Sequence, residues 1–267
     1  MREVGLIGAG NMGAAMLRGW MESGTLEPDG VLVCDKDESK AAELALDYGI
    51  CTSRSNEDVS RQARIVVLAV KPQDSLRVLE EIAPEMAGEK VVMSIIAGLS
   101  IGSMRERLGA AVSLVRVMPN MGAQVGAAVS AYAVDAGLVE FDTGLPVRLL
   151  EAIGNTVAVE ERWLDLVTAI SGSGPAYFFL MVESLERAAI GLGMVPDVAR
   201  LLARETLWGA ARVLKESGRE AVELREAVSS PGGTTLAALG VLEEAGFMEM
   251  MSRAVSAACS RAVELTR

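Results

Sequence analysis

Gly8-Ala9-Gly10-Asn11-Met12-Gly13 stands directly after the apolar run Val4-Gly5-Leu6-Ile7 and opens a stretch with helical periodicity over 11–23. A G-x-G-x-x-G spacing between strand and helix has a mechanical reading. The first glycine permits the tight turn, the second lets a pyrophosphate reach the backbone, and the third lets the helix pack against the strand. Amides at the helix start then hold phosphate without basic side chains. Gly8, Ala9, Gly10, Asn11, Met12 and Gly13 are therefore the first candidates for cofactor contact.

Outward from this loop, short β-branched runs alternate with helical patterns, the signature of βαβ units and a parallel sheet. Strands are expected over 4–7, 31–35, 65–70, 91–96, 113–117, 127–134 and 156–159, and helices over 11–23, 38–48, 73–83, 100–107 and 139–153. After Glu160 the pattern is helical to the end, with breaks at 171–175, 191–196, 217–218 and 229–233. The expected class is α/β, with a parallel-sheet, dinucleotide-binding domain over 1–160 and an all-helical domain over 161–267. Within the latter, Tyr177-Phe178-Phe179-Leu180-Met181-Val182 is apolar on every side and has to be covered all round. About a hundred residues can scarcely supply that cover, so a homodimer, and possibly a larger homo-oligomer, is expected.

Composition narrows the partners. A net charge of −11 repels nucleic acid and anionic membranes. The apolar stretch over 169–182 is broken by serines, glycines and a proline and falls short of the ~20 residues of a membrane helix, so no membrane partner is expected. The apolar start of the chain is interrupted by Glu3, Asn11 and Arg18, which argues against a secretory signal. Cys34, Cys51 and Cys259 are scattered without ligand spacing, so no metal site is expected and a reducing cytoplasm fits best. With no histidine, the commonest general acid is missing and any proton donor must be weaker.

Asp35 ends the second strand about 20 residues beyond the glycine loop, where an acidic side chain accepts hydrogen bonds from the adenosine ribose of NAD. Lys36 follows at once, with Lys40 nearby, and either ammonium suits the extra phosphate of NADP. These residues leave NADP or NAD open. Ala69-Val70-Lys71-Pro72 leaves the third strand, and Ala97-Gly98 the fourth, at the carboxyl edge where cofactors bind. Two further loops, Ser171-Gly172-Ser173-Gly174-Pro175 and Ser229-Ser230-Pro231-Gly232-Gly233-Thr234-Thr235, each offer hydroxyls and amides at a helix start, a receptor for a small carboxylate. Plain helix capping explains either loop equally well on local grounds.

Taken in order, Gly8 to Gly13, Ala69-Val70-Lys71-Pro72-Gln73, Met118-Pro119-Asn120, Ser171-Gly172-Ser173-Gly174-Pro175-Ala176-Tyr177 and Ser229 to Thr235, with Ala237, Leu239 and Phe247 downstream, resemble the pyrroline-5-carboxylate reductase family. The resemblance implies NAD(P)H-dependent reduction of 1-pyrroline-5-carboxylate to L-proline, the last step of proline biosynthesis. It also implies an N-terminal Rossmann domain and a helical domain forming interlocked dimers. It adds Asn56, Val70, Lys71 and Ala97 to the cofactor contacts, and puts Glu161, Thr234 and Thr235 near the substrate. The substrate carboxylate is expected on the amides of the turn from Gly232 through Gly233 and Thr234 to Thr235, with Ser230 also contacting substrate, and Thr235 is expected to hydrogen-bond the imine nitrogen, orienting it or relaying a proton.

One departure stands out. Family members usually continue Met-Pro-Asn with Thr-Pro-Ala, whereas this chain has Met121-Gly122-Ala123. Losing the proline is expected to loosen the loop, and losing the threonine removes a hydroxyl near the nicotinamide. That keeps two alternatives alongside the leading reading: a reductase of another cyclic imine, and a non-catalytic NAD(P)H sensor. A β-hydroxyacid dehydrogenase fits worse, since no lysine lies between Lys90 and Lys215 to serve as its catalytic base.

Overall fold

The computed structural model describes residues 1–86, 90–135 and 144–266. Strand β1 (Arg2–Ile7) leads into α1 (Asn11–Glu22), and the alternation continues through β2 (Val31–Cys34), α2 (Glu38–Tyr48), β3 (Cys51–Thr52), α3 (Asn56–Gln62), β4 (Ala63–Leu68), α4 (Ser75–Ile82), β5 (Val91–Ser94), α5 (Ile101–Leu108) and β6 (Ser113–Met118). Strand β7 (Ala128–Val134), helix α6 (Gly144–Glu151) and strand β8 (Gly154–Ala158) complete the sheet. Its order is β3-β2-β1-β4-β5-β6-β7-β8. Strands β1 to β6 are parallel, β7 runs antiparallel to β6, and β8 is parallel to β7. The strand order reverses between β1 and β4, and in open α/β sheets a ligand crevice forms above the carboxyl ends at that point.

Each face of the sheet carries its own apolar cluster, as the period of two in strands dictates. Val4, Leu6, Val33, Val67 and Met93 meet Met16, Leu17 and Trp20 of α1 and Leu149 and Leu150 of α6. Ile7, Leu32, Val66 and Val92 meet Val59 of α3, Leu79 and Ile82 of α4, and Met104 of α5. Trp20 is fully buried, and its indole Nε1–H donates to the Leu149 carbonyl at 2.8 Å, so the large ring costs no unpaired donor. Gly5 lets α3 lie close, because a Cβ there would stand 2.5 Å from the Val59 side chain.

The strands and helices expected from the sequence appear within a few residues, with three differences. The antiparallel β7 departs from an all-parallel sheet. The chain joining β6 to β7 is one 3-10 turn over Met121–Val125 with short flanks, and a parallel return needs a crossover of about a dozen residues or more. Second, β3 and α3 appear where nothing was expected. Third, the expected helix over 139–153 begins outside the described residues, and its described part is Gly144–Glu151.

Two compact units emerge, one of Met1–Ser173 with Ala258–Arg267 and the other of Gly174–Ala257. The division falls inside the helical region, later than the end of the sheet. Helix α7 (Leu164–Val167) continues through a π-helical turn, Thr168–Gly172, toward α8 (Gly174–Gly191). Ser171–Pro175 therefore runs from the end of the π turn through a bend at Ser173 into the start of α8 at Gly174: a helix does open here, as its composition implies, but directly behind another helical turn. Pro175 has no N–H to close an ordinary α turn, and an expanded turn before it removes the clash. In the second unit α8 pairs with α9 (Pro196–Ser217), followed by α10 (Ala221–Ala227), α11 (Thr234–Glu244) and the first part of α12 (Phe247–Thr266), whose residues from Ala258 on belong to the first unit. Buried Ala199 and Ala203 on α9, and the Arg200–Glu186 ion pair at 3.4 Å, hold the α8–α9 hairpin.

Candidate active site

The glycine loop has the mechanics its spacing implies. Gly8 sits at φ +109°, and a Cβ there would stand 2.5 Å from the Ala69 carbonyl oxygen. At Gly13 a Cβ would meet the Gly8 carbonyl oxygen at 2.1 Å, so the turn and the helix close only on glycine. Gly10 is the opposite case: no atom lies within 4 Å of its would-be Cβ. Gly10 is also the N-cap of α1 and caps it with no side chain. An open backbone facing free space at a helix N-terminus fits a dinucleotide pyrophosphate, whose charge the helix dipole and amides would offset.

The neighbouring strand exits sit level with this loop. Gly8 N–H donates to the Cys34 carbonyl (2.8 Å), Ala69 N–H to the Ile7 carbonyl (2.8 Å) and Ile95 N–H to the Leu68 carbonyl (3.1 Å). Ala69 and Val70 are half-buried beside Gly8, while Lys71 and Pro72 are exposed at the start of a 3-10 turn, Pro72–Asp74. Ala97 is half-buried, and Gly98 turns the chain at φ +80°. The structure thus brings Gly8 to Gly13, Asp35, Ala69 to Pro72 and Ala97 to Gly98 to one carboxyl edge of the sheet.

Asp35 is more engaged than expected. One carboxylate oxygen accepts from Ala9 N–H at 2.6 Å and the other from Asp37 N–H at 2.8 Å, which ties the end of β2 to the glycine loop. Lys36 Nζ is 2.9 Å from the Asp74 carboxylate, and this hydrogen bond is the main cause holding that carboxyl below its ordinary value. Asn56, the first residue of α3, donates its side-chain amide to Glu81 of α4 at 2.6 Å. Burial, reinforced by the negative charges of Asp35, Glu57, Glu81 and Asp58, pushes the Cys34 thiol up to about 11. That leaves it an inert core side chain.

Glu161 is one of two half-buried carboxylates gathered around a buried arginine. Its Oε1 accepts from Ile101 N–H, the first amide of α5, at 2.7 Å, and from Arg116 at 3.3 Å. Arg116, nearly fully buried on β6, also donates to Asp165 at 2.9 Å. The cluster joins β6, α5 and α7, a positioning role that sequence reasoning missed. The available signal was a lone arginine inside the apolar strand Ser113-Leu114-Val115-Arg116-Val117-Met118.

At Gly122, where a loosened loop was expected, the backbone is hydrogen-bonded on both sides. Its N–H donates to Asn120 Oδ1 at 3.2 Å, its carbonyl accepts from Ala127 N–H at 2.9 Å, and Asn120 Oδ1 also takes Val129 N–H at 3.2 Å. A Cβ at Gly122 would stand 2.4 Å from the Ala127 carbonyl oxygen. Just before the π turn ends, a Cβ at Gly172 would stand 2.8 Å from the Met118 side chain, so this segment packs on the end of β6. Ser171 Oγ returns its proton to the Val167 carbonyl at 3.1 Å.

In the second unit, Ser230 to Gly233 forms a turn closed by Gly233 N–H to the Ser230 carbonyl at 2.9 Å. Gly232 takes φ +68°, and a Cβ at Gly233 would collide with Ser230 Oγ at 2.6 Å. Gly233 is the N-cap of α11 and offers no side chain to its amides, so Thr234 and Thr235 begin the helix uncapped from that side. Pro231, Gly232 and Thr234 are exposed, and Gly233 and Thr235 half-buried.

Comparison with known proteins agrees with both halves. A family model described as pyrroline-5-carboxylate reductase dimerisation matches residues 161–265, and one described as NADP oxidoreductase coenzyme F420-dependent matches 3–98. Pyrroline-5-carboxylate reductase 2 of Bacillus subtilis is 33% identical over 266 residues, covering 99% of this chain and 95% of that protein. The reductase of Methanosarcina acetivorans is 36% identical over 264 residues, covering 99% and 98%. The chain belongs to the pyrroline-5-carboxylate reductase family. Among solved structures, the Coxiella burnetii reductase superposes with a TM-score of 0.94 at 33% identity, covering 100% of this chain and 99% of that one. The Plasmodium falciparum reductase with NADP bound gives 0.87 at 29% identity, covering 100% and 98%. The family therefore accounts for a nicotinamide-dependent oxidoreductase half and a helical half described by its dimerisation.

Proposed function

We propose that this chain reduces 1-pyrroline-5-carboxylate to L-proline with NADPH or NADH, acting in the cytoplasm as a homodimer or larger homo-oligomer. The observation that carries the reading is the full-length match to reductases of this family, joined to a glycine loop whose only open glycine is the one a pyrophosphate must approach. A reduced nicotinamide, when bound, supplies the hydride for the C=N bond.

This chain's residues supply position. Gly8 to Gly13 would hold the pyrophosphate, with Asp35 and Lys36 toward the adenosine side and Asn56, Ala69 to Pro72 and Ala97 to Gly98 along the rest of the cofactor. The amides that start α11 suit the substrate carboxylate, with Ser230, Gly232 and Gly233 shaping the turn and Thr234 and Thr235 following it. Family likeness supports Glu161 near the substrate, and its hydrogen bond to the Ile101 amide would hold the start of α5 there. Thr235 gives a hydroxyl to the imine nitrogen. Its acidity is too low to be the ultimate proton source, so it orients the nitrogen and relays a proton from water. Residues 161–267 would form the substrate-binding and dimerisation half. In that half Phe178, Phe179 and Leu180 are exposed in the single chain, which a second copy would cover.

The test follows the absorbance of reduced cofactor on adding pyrroline-5-carboxylate to the purified protein. Consumption with that imine, faster than with other cyclic imines, supports the reading; no consumption with either cofactor rejects it. Thr235→Ala should lower kcat by about 10²-fold, the usual scale of lost proton-transfer assistance, while cofactor affinity stays unchanged. An unaltered kcat removes Thr235 from the mechanism.

A further inference from the structure

We infer that this chain selects NADH over NADPH, and that Asp35 makes the selection by fixing a carboxylate beside the ribose position while neighbouring carboxylates occupy the cations a 2′-phosphate would need. The inference rests on the reductase reading above and decides what that reading left open.

Three observations converge. First, the Asp35 charge is held in place: amides of Ala9 and Asp37 bind its two oxygens at 2.6 and 2.8 Å. A carboxylate has roughly four acceptor sites, so it can still take a ribose hydroxyl. A phosphate monoester, which carries about −1.5 to −2 charges at neutral pH, would face a fixed like charge there. Second, the cations around the end of β2 already have partners. Lys36 lies 2.9 Å from Asp74, Arg54 lies 3.0 Å from Glu38, and Lys40 lies 3.9 Å from Asp37. Recruiting Lys36 to a 2′-phosphate would break its 2.9 Å bond to Asp74 and leave that carboxylate only the longer 3.8 Å contact with Arg77. Third, the local field is anionic: beyond burial, the Cys34 thiol at the end of β2 is raised by Asp35, Glu57, Glu81 and Asp58, all negative.

The test measures dissociation constants for NADH and NADPH by cofactor fluorescence, without imine, on the full-length protein. Wild type should bind NADH at least tenfold more tightly, about 1.4 kcal/mol. Asp35→Asn keeps a side-chain acceptor for the Ala9 amide and removes the charge. It should tighten NADPH by about tenfold and leave NADH within about threefold. Asp74→Asn frees Lys36 and should tighten NADPH alone by about threefold. NADPH binding wild type as tightly as NADH overturns the inference, as does an Asp35→Asn effect equal for both cofactors in a protein with unchanged melting. If Asp35→Asn fails to fold, the wild-type ratio and Asp74→Asn decide. Binding is read apart from turnover, so NADH-selective binding without imine reduction would reject the proposed activity and leave the selectivity standing.

Discussion

Gly8 and Gly10 share one motif and differ in what a methyl group would do to them. At Gly8 the positive φ and the 2.5 Å approach of the Ala69 carbonyl make alanine a strained residue, with an expected cost of about 1–3 kcal/mol or more. At Gly10, φ −70° is ordinary and the space is open. Gly10→Ala should therefore melt with wild type yet bind NADH at least about tenfold more weakly, because the methyl would occupy the place of the pyrophosphate. Gly8→Ala should lose stability as well as affinity. Calorimetric melting together with fluorescence titration separates the two, and wild-type affinity in Gly10→Ala would remove the pyrophosphate from this turn. These roles were legible because G-x-G-x-x-G spacing encodes backbone geometry directly. The engagement of Asp35 with Ala9 was not legible, since a hydrogen bond between residues 26 apart depends on two strand exits meeting at one edge.

Elements were readable where periodicity was long and obscure where packing decided. Helix α3 has only seven residues, too few for a face pattern, although its cap was in the sequence: Ser55 accepts from Asp58 N–H. The reversal at β7 follows from connection length, which periodicity does not report. The Arg116 cluster is the clearest case of an element-scale tie hidden from sequence, because Arg116, Glu161 and Asp165 come from separate elements. Removing the arginine would leave two half-buried carboxylates without their counterion and release the start of α5. Arg116→Ala should lower unfolding free energy by about 3 kcal/mol, seen as a lower urea midpoint at unchanged slope. In Arg116→Met/Glu161→Gln/Asp165→Asn both stranded charges are gone, and more than half of the loss should return. A fall of that size with no recovery in the triple variant would mean the arginine acts through packing instead.

At the scale of the molecule, the question is what covers the apolar helices. Residues 161–191 form a helical run long and apolar enough to cross a membrane by length and composition, and only 11% of the deciding window is buried in the single chain. By composition alone the stretch over 169–182 is too short and too interrupted to span, whereas in the fold the π turn over Thr168–Gly172 carries the helical run on from α7 through the first of those serines and glycines. Two covers are physically adequate, lipid or protein. The run lies within the region matched by the family's dimerisation model, and α8, with Phe178, Phe179 and Leu180 exposed, pairs with α9, which exposes Leu201, Leu202 and Trp208. Aromatic and aliphatic side chains clustered on two paired helices suit an obligate interface, where each fully buried one contributes about 1.5–3 kcal/mol. Leu180→Glu puts a charge into that interface and should raise the dimer dissociation constant at least about 100-fold, close to 2.8 kcal/mol. Sedimentation velocity on wild type and variant reads this directly, and wild type should stay with the aqueous fraction when floated with neutral lipid vesicles. An unchanged dimer in Leu180→Glu, or wild type rising with the vesicles, would assign the apolar face of α8 to something other than a second copy of this chain.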